Sequence, residues 1–144
     1  MRKIALILFV AILLILSCYQ VLRAYSQRPV SQADETKILI GTLKDFPSGT
    51  IKPFLQYKLI VFSDPEGLYA ISGRCPHMGC MVSFQKFEAK FTCPCHGSVF
   101  NKEGSVSHGP AKEDLPWFLI EKDASEQLVV DKSKIVPAGT KYKF

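Results

Sequence analysis

Two short segments of the chain bring cysteine and histidine together at the spacing of metal ligands. Residues 75–80 read Cys-Pro-His-Met-Gly-Cys, and residues 93–98 read Cys-Pro-Cys-His-Gly-Ser. Each segment can present one thiolate and one imidazole, so together they offer two sulfur and two nitrogen donors. Such a set can hold a single zinc ion or a binuclear iron–sulfur cluster, and the donor types alone do not distinguish these.

The order and distance of the two motifs resemble the Rieske iron–sulfur family. The pattern is Cys-x-His, then fifteen residues, then Cys-x-x-His, with Cys-Pro-Cys-His-Gly-Ser in the second half. The resemblance extends over residues 38–131 and is sharp only in 73–111. A zinc finger normally carries its last ligands on a helix, and no helix is predicted near His96.

The resemblance implies one Rieske [2Fe–2S] cluster and four ligands. Cys75 and Cys93 would bind one iron, and His77 and His96 the other. Neutral imidazole in place of charged thiolate leaves the cluster less negative, which raises its reduction potential above that of an all-cysteine cluster.

Two further cysteines, Cys80 and Cys95, lie within the same motifs. In the quinol-oxidising branch of the family, cysteines at these places form a disulfide, so the resemblance implies this pairing here. The alternative is two free buried thiols. A stable disulfide indicates an oxidising compartment, which predicts that the domain faces the periplasmic side.

Two positions are expected to tune the reduction potential. Ser98 matches the family serine whose hydroxyl donates a hydrogen bond to a bridging sulfide. Two residues later the high-potential members have a tyrosine, whereas this chain has Phe100. The resemblance therefore predicts a potential below that of members with both hydroxyls, one more compatible with menaquinol than with ubiquinol.

A third loop, residues 107–111, resembles the Gly-Pro-Ala-Pro segment that covers the cluster in the family. Lys112 stands where the family has its second proline. The remaining histidine, His108, lies in this loop and is interpreted as an exposed residue, because four ligands are already assigned.

The elements that must position these loops are predicted to be β-strands. No segment after residue 36 has ten or more residues of helical period. Asp, Pro and Gly lie between the short apolar runs, as they do in hairpin turns. The prediction is an all-β fold, a Rieske-type antiparallel β-sandwich or barrel, with a loop-rich cluster-binding subdomain over 73–113. The predicted strands are 37–43, 57–62, 68–71, 117–121 and 127–130.

Residues 1–22 are predicted to be a membrane anchor. Residues 4–22 contain no charged side chain and are long enough to cross a bilayer as one transmembrane helix. A cleaved signal is the first alternative, and a lipoprotein signal with Cys18 as the lipidated residue is the second. The polar residues 23–36 predict a flexible linker, and residues 37–144 the Rieske domain.

The predicted function is electron transfer, with the chain as redox subunit of a quinol–cytochrome c-type oxidoreductase and not an enzyme alone. Quinol would dock at His77 or His96, inside an apolar rim of Pro76, Met78 and Met81. The implied partners are quinol, b-type and c-type cytochromes and the inner membrane. The sequence contains no basic stripe with interleaved aromatic residues, so nucleic-acid binding is not predicted. The alternative is a membrane-tethered carrier that serves another oxidoreductase without quinol chemistry.

Overall fold

The computed structural model describes residues 12–23 and 36–144, which belong to two separate units of the chain. Residues 12–23 form an α-helix with exposed side chains. No helix within these two ranges is long and apolar enough to span a bilayer. Part of the predicted anchor (4–22) and nearly all of the predicted linker (23–36) lie outside the described residues, so both stay predictions.

The domain over 36–144 is built from ten β-strands and two short 3₁₀ helices. The 3₁₀ helices are Leu43–Asp45 and Leu55–Tyr57. The strands are β1 (Lys37–Gly41), β2 (Ile51–Phe54), β3 (Leu59–Asp64), β4 (Gly67–Ser72), β5 (Ser83–Gln85), β6 (Lys90–Thr92), β7 (Val99–Asn101), β8 (Val106–His108), β9 (Trp117–Lys122) and β10 (Leu128–Val136).

Six strands form a large antiparallel sheet in the order β1-β10-β9-β4-β3-β2. Both predicted hairpins are confirmed, β3 with β4 and β9 with β10. Asp64 pairs with Gly67, so only Pro65 and Glu66 connect β3 to β4. Most strand boundaries differ from the predicted ones. Strand β1 ends at Gly41 and not at residue 43, because Leu43 begins the first 3₁₀ helix. Residues 55–57 form a 3₁₀ helix, so β3 begins later than predicted, and β10 continues to Val136.

The remaining four strands form a small antiparallel sheet in the order β5-β6-β7-β8. It lies within residues 73–113, which the sequence predicts as loops. Each of these strands has three residues, too few to show alternation of apolar and polar side chains. Phe91 of β6 pairs with Phe100 of β7, and both side chains are fully buried.

The large sheet is buried on both faces in the middle, and this places the metal-binding loops. Alternate side chains of a strand point to opposite faces. In β3, Leu59 and Val61 pack into one apolar cluster, together with β1 and β10. Ile60 and Phe62 pack into a second cluster, which includes the small sheet and the two cysteines Cys75 and Cys93. The second core therefore holds the candidate ligands.

Candidate metal centre

The two cysteine–histidine segments fold into loops with the same hydrogen-bond pattern. In the first, the N–H of Cys75 donates to the carbonyl of Cys80 (2.8 Å), and the N–H of Gly79 donates to the carbonyl of Cys75 (2.8 Å). In the second, the N–H of Cys93 donates to the carbonyl of Ser98 (2.8 Å), and the N–H of Gly97 to that of Cys93 (3.0 Å). Each motif therefore forms one closed turn that begins at its first cysteine, and the two turns have the same size.

Each turn needs glycine at its fifth position. Gly79 has φ +74° and Gly97 has φ +73°, in the left-handed region that glycine enters without steric cost. The glycine that follows the ligand residues in both motifs is therefore explained by the backbone, independently of any metal.

Burial separates the two kinds of donor. Cys75 and Cys93 are 1% and 3% exposed and carry free thiols within the second core. His77 and His96 are exposed, and their ring centroids lie 4.8 Å apart at an interplanar angle of 86°. The structure thus brings the four predicted ligands into one region, with thiols inside and imidazoles at the surface.

Cys80 and Cys95 form a disulfide that joins the two loops, with Cα atoms 6.6 Å apart. The Sγ atom of Cys93 lies within 4.8 Å of both disulfide sulfurs. These three sulfurs do not make a metal site, because a disulfide offers no thiolate. The sulfur donors that remain in the two motifs are those of Cys75 and Cys93.

Ser98 lies under the third loop and is fully buried. Its Oγ accepts a hydrogen bond from the N–H of Ala111 (3.1 Å), so its own hydroxyl proton can be donated to another group. The loop lies directly on this residue. A Cβ on Gly109, which has φ +98°, would come within 2.6 Å of the Ser98 Cα. Glycine at 109 is what allows the contact.

The other predicted positions have distinct surroundings. Phe100 is fully buried in the second core. His108 is exposed as predicted, although it is the last residue of strand β8 and not part of a loop. Met78 is 70% exposed beside His77. Met81 is half-buried and packs against the second core and the backbone of Gly73, and its place in the predicted apolar rim stays a prediction.

Two cations also touch the first loop, and sequence reasoning missed both. Lys58 Nζ donates to the carbonyl of Gly79 (2.5 Å). The Arg74 guanidinium lies against Gly79, since a Cβ there would be 3.0 Å from Arg74 Nε. Arg74 could have been noticed because it adjoins Cys75, whereas a single lysine in a turn gives no signal.

Comparison with known proteins agrees with this arrangement. The family described as the Rieske [2Fe-2S] domain matches residues 36–119, which are 84 of the 144 residues. The chloroplastic iron–sulfur subunit of the cytochrome b6-f complex of Triticum aestivum is 42% identical over 73 residues, 50% of this chain and 32% of that protein. The corresponding subunit of Chlorobaculum tepidum is 31% identical over 86 residues, 58% of this chain and 48% of that protein.

These matched segments cover less than half of either relative. Among solved structures, the soluble domain of Rieske protein II from Sulfolobus acidocaldarius has a TM-score of 0.50 at 17% identity, over 78% of this chain and 86% of that one. That likeness supports a common fold.

Proposed function

This chain belongs to the Rieske [2Fe–2S] family, and we propose that it is the iron–sulfur subunit of a quinol–cytochrome c-type oxidoreductase. The observation that carries the proposal is the pair of exposed imidazoles, 4.8 Å apart, next to two buried free thiols in loops joined by a disulfide. The relatives named above are subunits of cytochrome b6-f complexes, which supports b-type and c-type cytochromes as partners.

Four residues would hold the cluster, Cys75 and Cys93 on one iron and His77 and His96 on the other. The donor set fits, because these cysteines are the free thiols of the domain over 36–144 and the two histidines face each other at its surface. The family places one cluster in this chain, which sets the zinc alternative aside. When bound, the cluster supplies one-electron chemistry at a potential raised by its imidazole ligands.

The residues around the site have separate tasks in this proposal. An imidazole nitrogen that is not used as a ligand can accept a hydrogen bond from a quinol hydroxyl and then hold its proton. The buried thiolates stay inside the apolar core, away from water. The free hydroxyl proton of Ser98 can be donated to a sulfide, and the disulfide fixes the distance between the two loops.

The proposed location is the inner membrane, with the domain on the periplasmic side. A disulfide persists in oxidising compartments, which supports that side. Residues 4–22 would serve as the transmembrane anchor and residues 23–36 as a flexible tether that lets the domain move between quinol and cytochrome.

The test uses the full chain, purified from membranes with its associated proteins. Electron paramagnetic resonance should show a rhombic signal of low average g, and the midpoint potential should fall as pH rises, because the reduced form takes up a proton at an imidazole. Addition of quinol should reduce the cluster, and a b-type cytochrome should co-purify.

Two outcomes would contradict the proposal. A cluster that forms normally but is reduced without any dependence on quinol, and without a b-type cytochrome, would assign the chain to the tethered-carrier alternative. A colourless protein that retains zinc after anaerobic reconstitution with iron and sulfide would overturn the cluster itself.

A further inference from the structure

Lys58 reaches across from the large sheet to the first ligand loop. It directly precedes β3, and its backbone has φ +47°, a conformation that non-glycine residues seldom adopt. Its carbonyl accepts a hydrogen bond from the N–H of Gly73 (2.7 Å), and its Nζ donates to the carbonyl of Gly79 (2.5 Å). One lysine therefore contacts both the start and the end of the segment that carries Cys75 and His77.

Arg74 supports the same turn from a second direction. Its backbone forms a bridge with Met81, which closes the loop at its base. Its guanidinium lies against the Cα of Gly79, where a side chain would leave only 3.0–3.6 Å to the guanidinium atoms. Both cations thus contact Gly79, the residue that precedes the disulfide cysteine Cys80.

We propose that Lys58 and Arg74 are positioning residues that hold the first ligand loop and raise the reduction potential of the cluster. Both side chains carry a full positive charge at neutral pH, and reduction adds one negative charge to the cluster next to the loop they contact. A nearby positive charge stabilises the reduced state more than the oxidised state. The inference rests on the proposed ligation by Cys75 and His77.

Acidic groups near the same loop are expected to lower the reduction potential. An open depression of about 720 Å³ beside His77 is lined by Arg74 and also by Glu113, Asp114 and Lys132. Asp114 accepts a hydrogen bond from the N–H of Val106, and Lys132 Nζ donates to the carbonyl of Tyr57, so both side chains are held by residues outside the first ligand loop. Lys58 and Arg74 are the cations that contact Gly79 directly.

The experiment is a redox titration of the full-length, cluster-loaded protein at low and high salt. Lys58→Gln keeps a hydrogen-bond donor and removes the charge, and we expect the equilibrium constant for reduction to fall by about two- to fivefold at low salt. High salt should shrink this difference, because the groups are exposed and screened. Arg74→Gln should also lower the equilibrium constant for reduction, and Lys58→Arg should keep the wild-type potential.

Two control variants sharpen the comparison. Lys44→Gln removes an exposed lysine from the first 3₁₀ helix, next to the other apolar cluster, and should leave the potential unchanged. Glu113→Gln removes a negative charge from the depression beside His77 and should raise the potential.

Equal potentials of wild type, Lys58→Gln and Arg74→Gln at low salt would overturn the inference, as would a shift in Lys58→Arg as large as that in Lys58→Gln. If Lys58→Gln does not retain the cluster, the Arg74→Gln potential decides the result. A wild-type protein without the rhombic signal would count against the proposed function, whereas a normal signal with unshifted variants counts against this inference alone.

Discussion

At the candidate metal centre, burial separates the cysteines from the histidines. Cys75 is almost fully buried, yet His77, two residues later, is exposed. The same change occurs between Cys93 and His96. A thiolate in an apolar core is protected from water and oxidants, and an imidazole at the surface can exchange protons and meet a partner. The turn that each motif forms is short enough to make this change within three residues.

Phe100→Tyr should raise the reduction potential. The ring of Phe100 is fully buried in the same apolar cluster as Cys75 and Cys93, so a new hydroxyl would be placed among apolar groups and the candidate ligands. In the high-potential members of the family a tyrosine at this position donates a hydrogen bond to a ligand sulfur, which stabilises the reduced state. Redox titration of the variant measures the effect.

Phe91→Tyr is the matched control, because Phe91 is the cross-strand partner of Phe100 and equally buried. An unchanged potential in Phe100→Tyr, or an equal rise in Phe91→Tyr, would contradict a specific hydrogen bond from position 100.

The elements of the centre are two similar loops and a third, residues 107–111, which packs on Ser98 of the second loop. The disulfide connects the last residue of the first loop, Cys80, with the third residue of the second, Cys95. This third loop, called the lid below, is held by the hydrogen bond from the N–H of Ala111 to Ser98 Oγ and by the close contact at Gly109. The geometry of the site therefore depends on contacts between loops as much as on each loop.

Replacement of both Cys80 and Cys95 by serine should destabilise the domain. The disulfide closes a loop of 15 residues in sequence separation, which contributes about 3 kcal/mol in the chain-entropy account. Urea unfolding should show this loss in the double variant, together with faster loss of the cluster. Dithiothreitol should weaken the wild type to the same level and leave the variant unaffected, and a variant as stable as wild type would refute the prediction.

Gly109→Ala should displace the lid. The new Cβ would lie 2.6 Å from Ser98 Cα and 2.9 Å from its N atom, so the loop must move away. Faster bleaching of the visible absorption and a lower melting temperature are expected. Gly139→Ala is the matched control, because Gly139 has a similar φ of +90° but nothing within 4 Å of its Cβ position. Equal effects of the two substitutions would mean that backbone strain alone is responsible.

At the scale of the whole domain, one large sheet serves two cores. Its central strands are buried on both faces, so the second core can receive the small sheet and the candidate ligands Cys75 and Cys93. Strand β10 of this sheet contains a bulge. Asp131 pairs with Leu119, and the next pair is Ile135 with Phe118. At this bulge the Asp131 carboxylate accepts hydrogen bonds from the N–H (3.0 Å) and hydroxyl of Ser133.

Acid should destabilise the domain partly through Asp131. The hydrogen bond from the Ser133 hydroxyl lowers the pKa of Asp131 below its ordinary value of 3.8, against the opposing effect of burial, with further help from the Ser133 N–H and Lys134. A carboxylate whose pKa is lowered by folding stabilises the folded state at pH values above its pKa in the unfolded chain. This contribution disappears as pH falls through the pKa of the folded state.

Asp131→Asn should therefore be less stable than wild type at neutral pH and should lose less stability on acidification from about pH 5 to pH 2. Urea unfolding across this range measures both curves. Parallel curves for the two proteins would show that Asp131 does not contribute to the acid sensitivity.

Much of the site follows from local sequence. The candidate ligands of each loop lie within three residues of one another, and the glycine at position 79 or 97 closes the turn, so each motif specifies its own backbone geometry. The hairpins β3–β4 and β9–β10 are also local, because two apolar runs with a short polar connection can pair without help from the rest of the chain.

Tertiary structure decided the features that depend on distant residues. The small sheet has strands too short for a pattern, and they are stabilised by packing of Phe91 and Phe100 on the large sheet. The contact of Lys58 with Gly79 joins residues 21 apart in sequence. The sequence by itself predicted the candidate ligands and determined the family, because both depend on neighbouring residues. Which groups surround the site depended on packing between sheets, because only packing brings distant side chains together.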